Sequence, residues 1–340
     1  MSDTMIHKQH PIGTGFNAAS TADDVLGSVD LSGKNVIVTG GYSGIGLEVT
    51  RALSKAGAAI TVGCRNPERA ALVLADLANV KCSQLDLIDP LSVDAFAVRW
   101  LGSSHPLHIL INGAVASGGP IRDDRGYETH FATNHLGHFQ LTVKLLPALR
   151  AANGARVVNV SSGAQRFSDI QWDDIHLVNA YTSAVAYAQS KTANVLFAVE
   201  LDRRWAEHGI RGYAVHPGVV AGTKLTSSVG SDALRAMGLI DEAGRPIIDP
   251  AVGKKTPQQG AGTIVFAATS PLLSGIGGVY LKDNEVSALD DEMKALTADY
   301  IPADIVSHSI DPQSAIRLWE LSEQLLTLDG NMSRLSSFST

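Results

Sequence analysis

Residues 35–46 read Asn-Val-Ile-Val-Thr-Gly-Gly-Tyr-Ser-Gly-Ile-Gly, so a short apolar run passes directly into a glycine-rich turn. The run has the length and composition of a buried β-strand, and the residues from Gly44 to Ala56 have the pattern of a helix. Glycines in such a turn let backbone amides approach an anion closely, and the amides of a helix N-terminus carry partial positive charge. The stretch therefore predicts a pyrophosphate-binding turn. Its predicted binding residues are Gly40, Ser43, Gly44, Ile45 and Gly46.

Apolar strands and amphipathic helices alternate along most of the chain. Further strands are predicted near residues 58–63, 80–85, 107–111, 156–160, 212–215 and 279–281. Helices are predicted from Pro67, from Pro90, over 124–151, over 184–207, from Thr256 and over 315–326. This pattern predicts βαβ units with right-handed crossovers. The expected fold is α/β, a single Rossmann-type doubly wound, mostly parallel seven-stranded sheet with helices on both faces.

Three parts of the chain differ in sequence pattern. Residues 1–31 form a polar N-terminal extension, with a short helix predicted from Thr21 to about Val29 and with Ser20 or Thr21 as its N-cap. Residues 32–285 form the predicted dinucleotide-binding and catalytic domain, and residues 286–340 form a C-terminal extension with a helix. Inside the domain, the irregular segment of about 223–255 is predicted to be a substrate loop, because long irregular segments often bind ligands.

The composition excludes several classes of partner. The chain has 340 residues, of which 45% are hydrophobic, and a formal net charge of −7 without a basic stretch, so no nucleic acid partner is expected. It contains no apolar run long enough to cross a bilayer, and its N-terminus lacks the apolar core of a signal peptide. This predicts a cytoplasmic protein with no membrane partner. Cys64 and Cys82 are expected to be buried thiols rather than a disulfide or a metal site.

The end of the second predicted strand indicates which dinucleotide binds. It reads Gly63-Cys64-Arg65-Asn66, and the first acidic residue after it, Glu68, already lies in the next helix. Sites for NAD usually hold the ribose 2′-hydroxyl with a carboxylate here, whereas a nearby arginine accommodates the 2′-phosphate of NADP. Arg65 therefore predicts NADP(H) as the preferred cofactor.

A tyrosine and a lysine four residues apart are candidates for catalysis. Tyr187 and Lys191 would lie on one face of a helix. A free tyrosine has a pKa of about 10, and a neighbouring ammonium favours the phenolate, so we expect Lys191 to lower the pKa of Tyr187. Ser161 and Ser162 end the preceding strand, where one hydroxyl could bond the substrate oxygen and the other, Ser161, could cap a turn. These residues predict acid/base chemistry at a hydroxyl or carbonyl group.

With these motifs in order, the chain resembles the short-chain dehydrogenase/reductase superfamily from about Leu31 to Leu281. It is similar in particular to the retinol dehydrogenase-like and protochlorophyllide reductase-like members, through its segments 134–139, 187–197 and 216–220. The motifs that carry the resemblance are Thr39-Gly40-x-x-x-Gly44-x-Gly46, Asp86-Leu87, Asn112-Gly113-Ala114, Asn134, Ser162, Tyr187-x-x-x-Lys191 and Pro217-Gly218.

The resemblance implies roles for four catalytic residues. Tyr187 exchanges a proton with the substrate oxygen, while Lys191 lowers the tyrosine pKa and holds the nicotinamide ribose. Ser162 polarises the substrate carbonyl, and Asn134 bends the long helix and supports a water path for the proton. The resemblance also implies further cofactor contacts: Asp86 and Leu87 beside the adenine, Asn112, Gly113 and Ala114 under the adenine ribose, and Pro217, Gly218 and Val220 beside the nicotinamide.

The sequence departs from the family pattern at two places. The usual Asn-Asn-Ala-Gly is Asn112-Gly113-Ala114-Val115 here, at the strand end that contacts the adenine ribose in the family. The segment from Pro217 to Thr223 is one residue longer than expected before the threonine that the family uses at the nicotinamide carboxamide.

Other residues that invite a functional role have plain structural explanations. No nearby Cys or Glu completes a clear metal site with His130, His135 and His138, so packing is expected and no metal is predicted. His216 is expected to be structural. Phe167 and Trp172, between Ser162 and Tyr187, either line a lipophilic pocket or close the loop.

We therefore expect an NADP(H)-dependent oxidoreductase that moves a hydride between nicotinamide and a small-molecule carbonyl or secondary alcohol, with a substrate that could be lipophilic. Two alternatives stay open: reduction of a carbon–carbon double bond, and an NADP-binding sensor without turnover. The resemblance also implies a homo-oligomer formed through two long helices, although a C-terminal extension could cover those faces.

Overall fold

One sheet organises the part of the chain that the computed structural model describes, which comprises residues 8–116, 121–223 and 230–328. Within these residues the strands are β1 (Asn35–Thr39), β2 (Ala59–Cys64), β3 (Val80–Gln84), β4 (Ile109–Asn112), β5 (Ala155–Val160), β6 (Ile210–His216), β7 (Val279–Lys282) and β8 (Glu285–Val286). Their order in space is β3-β2-β1-β4-β5-β6-β7-β8. The order reverses between β1 and β4, which creates the crevice where doubly wound sheets bind ligands.

The first seven strands pair in parallel, as predicted. The two-residue strand β8 was not predicted and pairs antiparallel with β7. Asp283 and Asn284 join the two strands with φ of 54° and 64°. Positive φ at both central residues is typical of the two-residue turns that close tight hairpins, and Asp and Asn tolerate it.

Helices cover both faces of the sheet. They are α1 (Ala22–Leu26), α2 (Gly44–Lys55), α3 (Pro67–Val73), α4 (Pro90–Gly102), α5 (Gly137–Lys144), α6 (Leu146–Ala151), α7 (Ser183–Trp205), α8 (Ser231–Ala236), α9 (Pro257–Thr269) and α10 (Pro312–Leu328). On one face, α1, α2 and α9 bury their apolar sides in one cluster with β1 and β2. On the other face, α4, α5 and α7 build a second cluster. The predicted doubly wound α/β fold is confirmed.

The predicted short helix in the N-terminal extension is α1. Thr21 is its N-cap and forms a capping box with Asp24, in which each residue satisfies a backbone amide of the other. The helix ends at Leu26, earlier than predicted, because Gly27 follows with φ of 50°. This conformation is costly for residues with a side chain and commonly ends helices at glycine.

The helix predicted over 124–151 is wrong at its start and is interrupted. The carboxylate of Asp123 accepts hydrogen bonds from the backbone amides of Arg125 and Tyr127, each 2.9 Å long, and this folds the segment into a turn. A π-helix then covers Phe131–Leu136 and leads into α5. Pro147 in the first turn of α6 accounts for the break at Leu145, since proline cannot donate to the preceding turn.

The N-terminal extension is tied to the edge of the sheet. The side chain of Gln9 hydrogen-bonds both the amide and the carbonyl of Tyr280, at 2.9 Å each. The carboxylate of Glu285 accepts from the amides of Ile12, Gly13 and Thr14, each at 2.8 Å. Residues 8–31 therefore cover backbone groups that an edge strand would otherwise expose.

The C-terminal helix α10 covers the outer face of α5 and α7. The ring centroid of Trp319 lies 4.8 Å from that of Phe139, 5.8 Å from that of Phe197 and 5.4 Å from that of Trp205. These helices are the two that the family resemblance assigned to subunit association. An association through this face would therefore have to displace α10.

We predict that Trp319→Ala lowers the free energy of unfolding by about 3–5 kcal/mol, the usual cost of truncating a buried aromatic side chain. Equilibrium unfolding in urea measures it. Glu320→Ala changes the neighbouring, exposed position of the same helix and serves as the control. Equal unfolding midpoints for the two variants would show that α10 is not anchored through Trp319.

Candidate active site

The glycine turn between β1 and α2 forms a cradle in which backbone lies close to backbone. A Cβ atom on Gly46 would lie 2.6 Å from the carbonyl oxygen of Gly40, and one on Gly40 would lie 3.1 Å from Cα of Ala114. Gly40 and Gly44 have φ of 72° and 54°, which side-chain-bearing residues rarely adopt. The amides of Gly44, Ile45 and Gly46, in the first turn of α2, have no acceptor within the helix. The cradle therefore fits a pyrophosphate.

Ser43 precedes these amides as the N-cap of α2. Its side chain makes no capping hydrogen bond, although serine commonly does so at this position. The half-buried hydroxyl is therefore available beside the predicted phosphate position, as the sequence suggested.

The second strand end brings Arg65 close to the cradle. The amide of Gly40 donates to the carbonyl of Gly63 at 3.0 Å, and Arg65 follows two residues later with an exposed side chain. Beyond β3, the half-buried Asp86 and the buried Leu87 lie at the adjoining strand end. The chain of Leu87 lies tightly against α5, because a Cβ on Gly137 would come 2.1 Å from the Leu87 carbonyl oxygen.

At the end of β4, one residue supports the crevice with its side chain and the next two line it with their backbone. Asn112 is only 1% exposed. Its amide donates to Thr142 at 3.1 Å and to Asn159 at 2.8 Å, so the side chain joins β4 to its neighbours under the crevice. Gly113 and Ala114 instead present partly exposed backbone. A Cβ on Gly113 would lie 3.3 Å from the Thr39 carbonyl oxygen, so the observed glycine suits this position where the family has asparagine.

A hydrogen-bond network around Thr39 and His138 was missed in the sequence analysis. The Thr39 hydroxyl accepts from the amides of Gly113 and Ala114 at 2.9 and 3.0 Å, and lies 2.8 Å from Nε2 of His138. The Nδ1 atom of His138 is 2.9 Å from the Asn134 carbonyl oxygen. Burial lowers the pKa of His138 to about 4. The neutral ring must donate from Nδ1 to that carbonyl, so Nε2 accepts from Thr39.

Tyr187 and Lys191 lie on α7 and face the end of β5. The Nζ atom of Lys191 is 5.4 Å from the centre of the Tyr187 ring and donates to the Val160 carbonyl at 3.0 Å. The hydroxyl of Ser162 lies near the Tyr187 phenol and lowers its pKa. The structure thus brings together three of the four predicted catalytic side chains.

Burial shifts the pKa of both members of the pair. Desolvation raises the pKa of Tyr187, and the hydrogen bond with Ser162 opposes this without cancelling it. Desolvation also lowers the pKa of Lys191, to about 8. Desolvation of the phenol is therefore the largest influence on the pKa of Tyr187 in this arrangement, and the lowering of that pKa by Lys191 stays a prediction.

Asn134, the fourth predicted catalytic residue, lies in the π-helix and reaches α7. Its side chain accepts from the amide of Ala116 at 2.8 Å and donates to Ser190 Oγ at 3.0 Å. Ser190 in turn donates to the Tyr187 carbonyl at 2.7 Å. Asn134 is thus connected to the backbone of Tyr187.

The two serines divide their roles differently from the prediction. Ser161 is buried and donates to the Lys191 carbonyl at 2.7 Å. Ser162 caps the 3₁₀ turn Gly163–Phe167 by accepting from the amide of Ala164 at 3.2 Å, and it also contacts Tyr187. The expected capping by Ser161 is therefore made by Ser162.

The segment after β6 closes the crevice with a lysine that the sequence analysis also missed. Gly218 has φ of 87°, and a Cβ there would lie 2.7 Å from the side chain of Lys255. Lys255 is fully buried, with Nζ 2.7 Å from a carboxylate oxygen of Asp283. Pro217 and Gly218 lie at the strand end, and Val220 packs against Gly260 of α9. The predicted substrate loop continues through residues 230–255, whereas its residues 224–229 lie outside the described ones.

The remaining candidates have structural partners. His216 accepts from the Gly163 amide through Nδ1 at 3.0 Å. His130 packs edge-on to the Tyr187 ring, with centroids 5.8 Å apart. Trp172 stacks with Arg317 at 4.2 Å, while Phe167 is 46% exposed. No group of three or more metal-binding side chains occurs in residues 8–116, 121–223 and 230–328.

Comparison with known proteins assigns the family. A profile described as short chain dehydrogenase matches residues 34–234. The chain belongs to this family. A probable oxidoreductase of Streptomyces lividans is 40% identical over 307 residues, covering 88% of this chain and 99% of that protein. Retinol dehydrogenase 12 of Mus musculus is 37% identical over 306 residues, covering 88% of each. The protein is thus a short-chain dehydrogenase/reductase of the retinol dehydrogenase-like group, a family of NAD(P)-dependent enzymes.

Solved structures agree with this assignment. An uncharacterized protein from Mycobacterium paratuberculosis superposes with a TM-score of 0.67 at 29% identity, over 91% of this chain and 98% of that one. Pseudomonas aeruginosa RhlG, solved as an NADP active-site complex, has a TM-score of 0.58 at 24% identity, over 75% of this chain and 96% of that one, and supports the fold. Across the described part of the short-chain dehydrogenase, no helix has both the length and the apolar character needed to cross a membrane.

We predict that Gly46→Ala weakens binding of NADPH and NADH by about 10-fold or more, since forced shifts in packed structure cost about 1–3 kcal/mol. The added Cβ would push α2 away from the Gly40 carbonyl. Fluorescence titration of the nicotinamide measures the affinity. Gly102→Ala is the control, because a Cβ at that helix end meets nothing within 4 Å. Similar affinities for the two variants would remove this turn from cofactor binding.

Proposed function

We propose that this short-chain dehydrogenase/reductase transfers a hydride between NADP(H) and a carbonyl or secondary alcohol, with Tyr187 as general acid and base. The observation that carries the proposal is the placement of Lys191 beside Tyr187, with its ammonium 5.4 Å from the centre of the phenol ring and 3.0 Å from the Val160 carbonyl at the end of β5. These groups follow β5, whose neighbour β4 ends beside the glycine cradle. A substrate oxygen held by both hydroxyls would lie within reach of a proton donor.

Each residue has a role that follows from its position. The nicotinamide cofactor, when bound, supplies or accepts the hydride. Tyr187 donates its proton to the carbonyl oxygen during reduction and takes it back during oxidation. Ser162 donates to the same oxygen as charge develops there. Lys191 stabilises the phenolate that forms, and its Nζ is positioned by the Val160 carbonyl.

The pKa shifts favour a proton donor in the resting site. Because the pKa of Tyr187 is raised, the phenol keeps its proton at neutral pH and can act as an acid towards a carbonyl oxygen. Lys191, with a pKa of about 8, is still largely charged at pH 7. We propose that Asn134 supports proton exchange with solvent, because its side chain connects to Ser190 and thereby to the backbone of Tyr187.

We propose a lipophilic small-molecule substrate and a cytoplasmic location. Phe167 ends the turn that begins after Ser162 and exposes 46% of its surface, which gives the site an apolar neighbour. One relative is named for retinol, a lipophilic alcohol. These observations favour an aliphatic or isoprenoid-like carbonyl over a sugar-like one.

Tyr187→Phe is predicted to lower kcat by about 10²–10⁴-fold, the usual contribution of a general acid. The affinity for NADPH should stay unchanged, because the glycine cradle is untouched. Loss of the nicotinamide absorbance of NADPH, followed with a panel of ketones and aldehydes, measures turnover. Tyr213→Phe, which removes a hydroxyl bonded to a core carbonyl at 2.8 Å, is the control. Undiminished turnover by Tyr187→Phe would overturn the mechanism.

Arg65→Ser is predicted to raise the KM for NADPH by about 10-fold or more while leaving that for NADH unchanged, since a hydrogen bond to a charged group contributes about 1.5–3 kcal/mol. Steady-state kinetics with both cofactors measures this. Arg51→Ser removes an exposed arginine from α2 that pairs with Glu48 at 3.2 Å, and serves as the control. Equal effects on both cofactors would remove Arg65 from the recognition of the 2′-phosphate.

A further inference from the structure

The turn that carries Ser162 is held by a buried arginine. Arg166 is 3% exposed. Its guanidinium donates to the backbone carbonyls of Asp290 at 2.7 Å, Asp304 at 2.9 Å and Glu292 at 2.5 Å. The nearest carboxylate, that of Asp290, is 3.9 Å away. Arg166 therefore connects the 3₁₀ turn after the catalytic serine to three points of the C-terminal extension.

Gln165 makes a second connection between the same two segments. It is fully buried, and its amide donates to the Asp304 carbonyl at 2.9 Å and accepts from the Ser309 hydroxyl at 2.7 Å. Its own carbonyl accepts from Nε2 of His308 at 3.0 Å and from the hydroxyl of Thr192 at 3.1 Å. Because Thr192 adjoins Lys191, the turn is held between the catalytic helix and the C-terminal extension.

The extension also closes against the first residue of the turn. A Cβ on Gly163 would lie 2.8 Å from the Pro302 carbonyl oxygen and 3.1 Å from Cα of Ala303. From the other side, the Gly163 amide donates to His216 at the end of β6. Gly163, the residue after Ser162, is thus held between the backbone of Pro302 and Ala303 on one side and His216 at the end of β6 on the other.

We propose that Arg166 is a positioning residue, which uses the C-terminal segment 290–304 to hold the Ser162 hydroxyl against Tyr187. The inference rests on the proposed function, since it assigns a catalytic consequence to this contact. Stability alone does not explain the arginine. Burying a guanidinium costs several kcal/mol of desolvation, and an apolar side chain of similar volume often serves a core at least as well. Its forked donors can, however, fix three separate carbonyls in one geometry.

A second arginine that donates to backbone carbonyls, near the start of β5 and away from the turn that carries Arg166, allows a controlled test. Arg156, near the start of β5, donates to the carbonyls of Ala267 at 2.9 Å and Ser270 at 2.8 Å. Arg166→Met and Arg156→Met therefore both remove hydrogen bonds between a buried or partly buried guanidinium and backbone carbonyls. Of the two arginines, only Arg166 lies next to the candidate active site. We expect both variants to lower the thermal unfolding midpoint.

Only Arg166→Met is expected to lower kcat, by about 10-fold to 100-fold, the range that a small misplacement of a reacting group can produce. The Kd for NADPH should not change. The alkaline rise of kcat for alcohol oxidation should also move to higher pH. The Ser162 hydroxyl lowers the pKa of Tyr187, so moving it away raises that pKa further, while the ionisable groups that face the phenol, Lys191 and His130, stay in place.

Ser309→Ala provides a milder variant that removes one hydrogen bond to Gln165, and it should lower kcat about 2-fold to 10-fold. The inference is overturned if Arg166→Met and Arg156→Met have equal kcat and equal pH profiles. If Arg166→Met does not fold, an unchanged kcat for Ser309→Ala overturns it instead. The proposed function itself would fail in a different way, through absent turnover by the wild-type protein or full turnover by Tyr187→Phe.

Discussion

Lys191 is only 3% exposed, and the burial of its ammonium beside a phenol is the constraint on which the site depends. Desolvation acts on both groups, raising the pKa of Tyr187 and lowering that of Lys191 to about 8. Two neighbouring side chains can occupy such a place only where surrounding polar atoms hold them. The Val160 carbonyl accepts a hydrogen bond from the ammonium, and the Ser162 hydroxyl lowers the pKa of the phenol. Val160 and Ser162 lie at the carboxyl end of β5, so the sheet positions the groups around this pair.

A set of hydrogen bonds extends from the strand ends beside the glycine cradle to α7. It begins at Thr39, whose hydroxyl fixes the strand end after β4, and passes through His138 to the Asn134 carbonyl. From the Asn134 side chain it continues through Ser190 to the backbone of Tyr187. Buried polar groups of this kind are costly unless all of them are paired, so the network specifies one arrangement of β1, β4 and α7.

The two extensions stabilise different sides of the domain. The N-terminal one covers the β7–β8 edge through Gln9 and through the amides bound by Glu285. The C-terminal one packs α10 on α5 and α7 through Trp319, and its segment 290–304 adjoins the Ser162 turn. Residues outside the matched region 34–234 therefore pack against the elements that carry the family motifs and stabilise them.

The sequence by itself determined the features that depend on near neighbours. The strand–glycine turn–helix of 35–46, the seven parallel strands, and the placement of Tyr187 and Lys191 on one helix face all follow from local spacing and apolar periodicity. It could not reveal that desolvation would raise the tyrosine pKa, that Asp123 would fold a turn where a helix was predicted, or that Lys255 would pair with Asp283. The hydrogen bonds from Arg166 to the carbonyls of Asp290 and Asp304 join residues that are 124 and 138 positions apart in the sequence. Only the tertiary structure decided these features, because burial and long-range pairing depend on which surfaces the folded chain brings together.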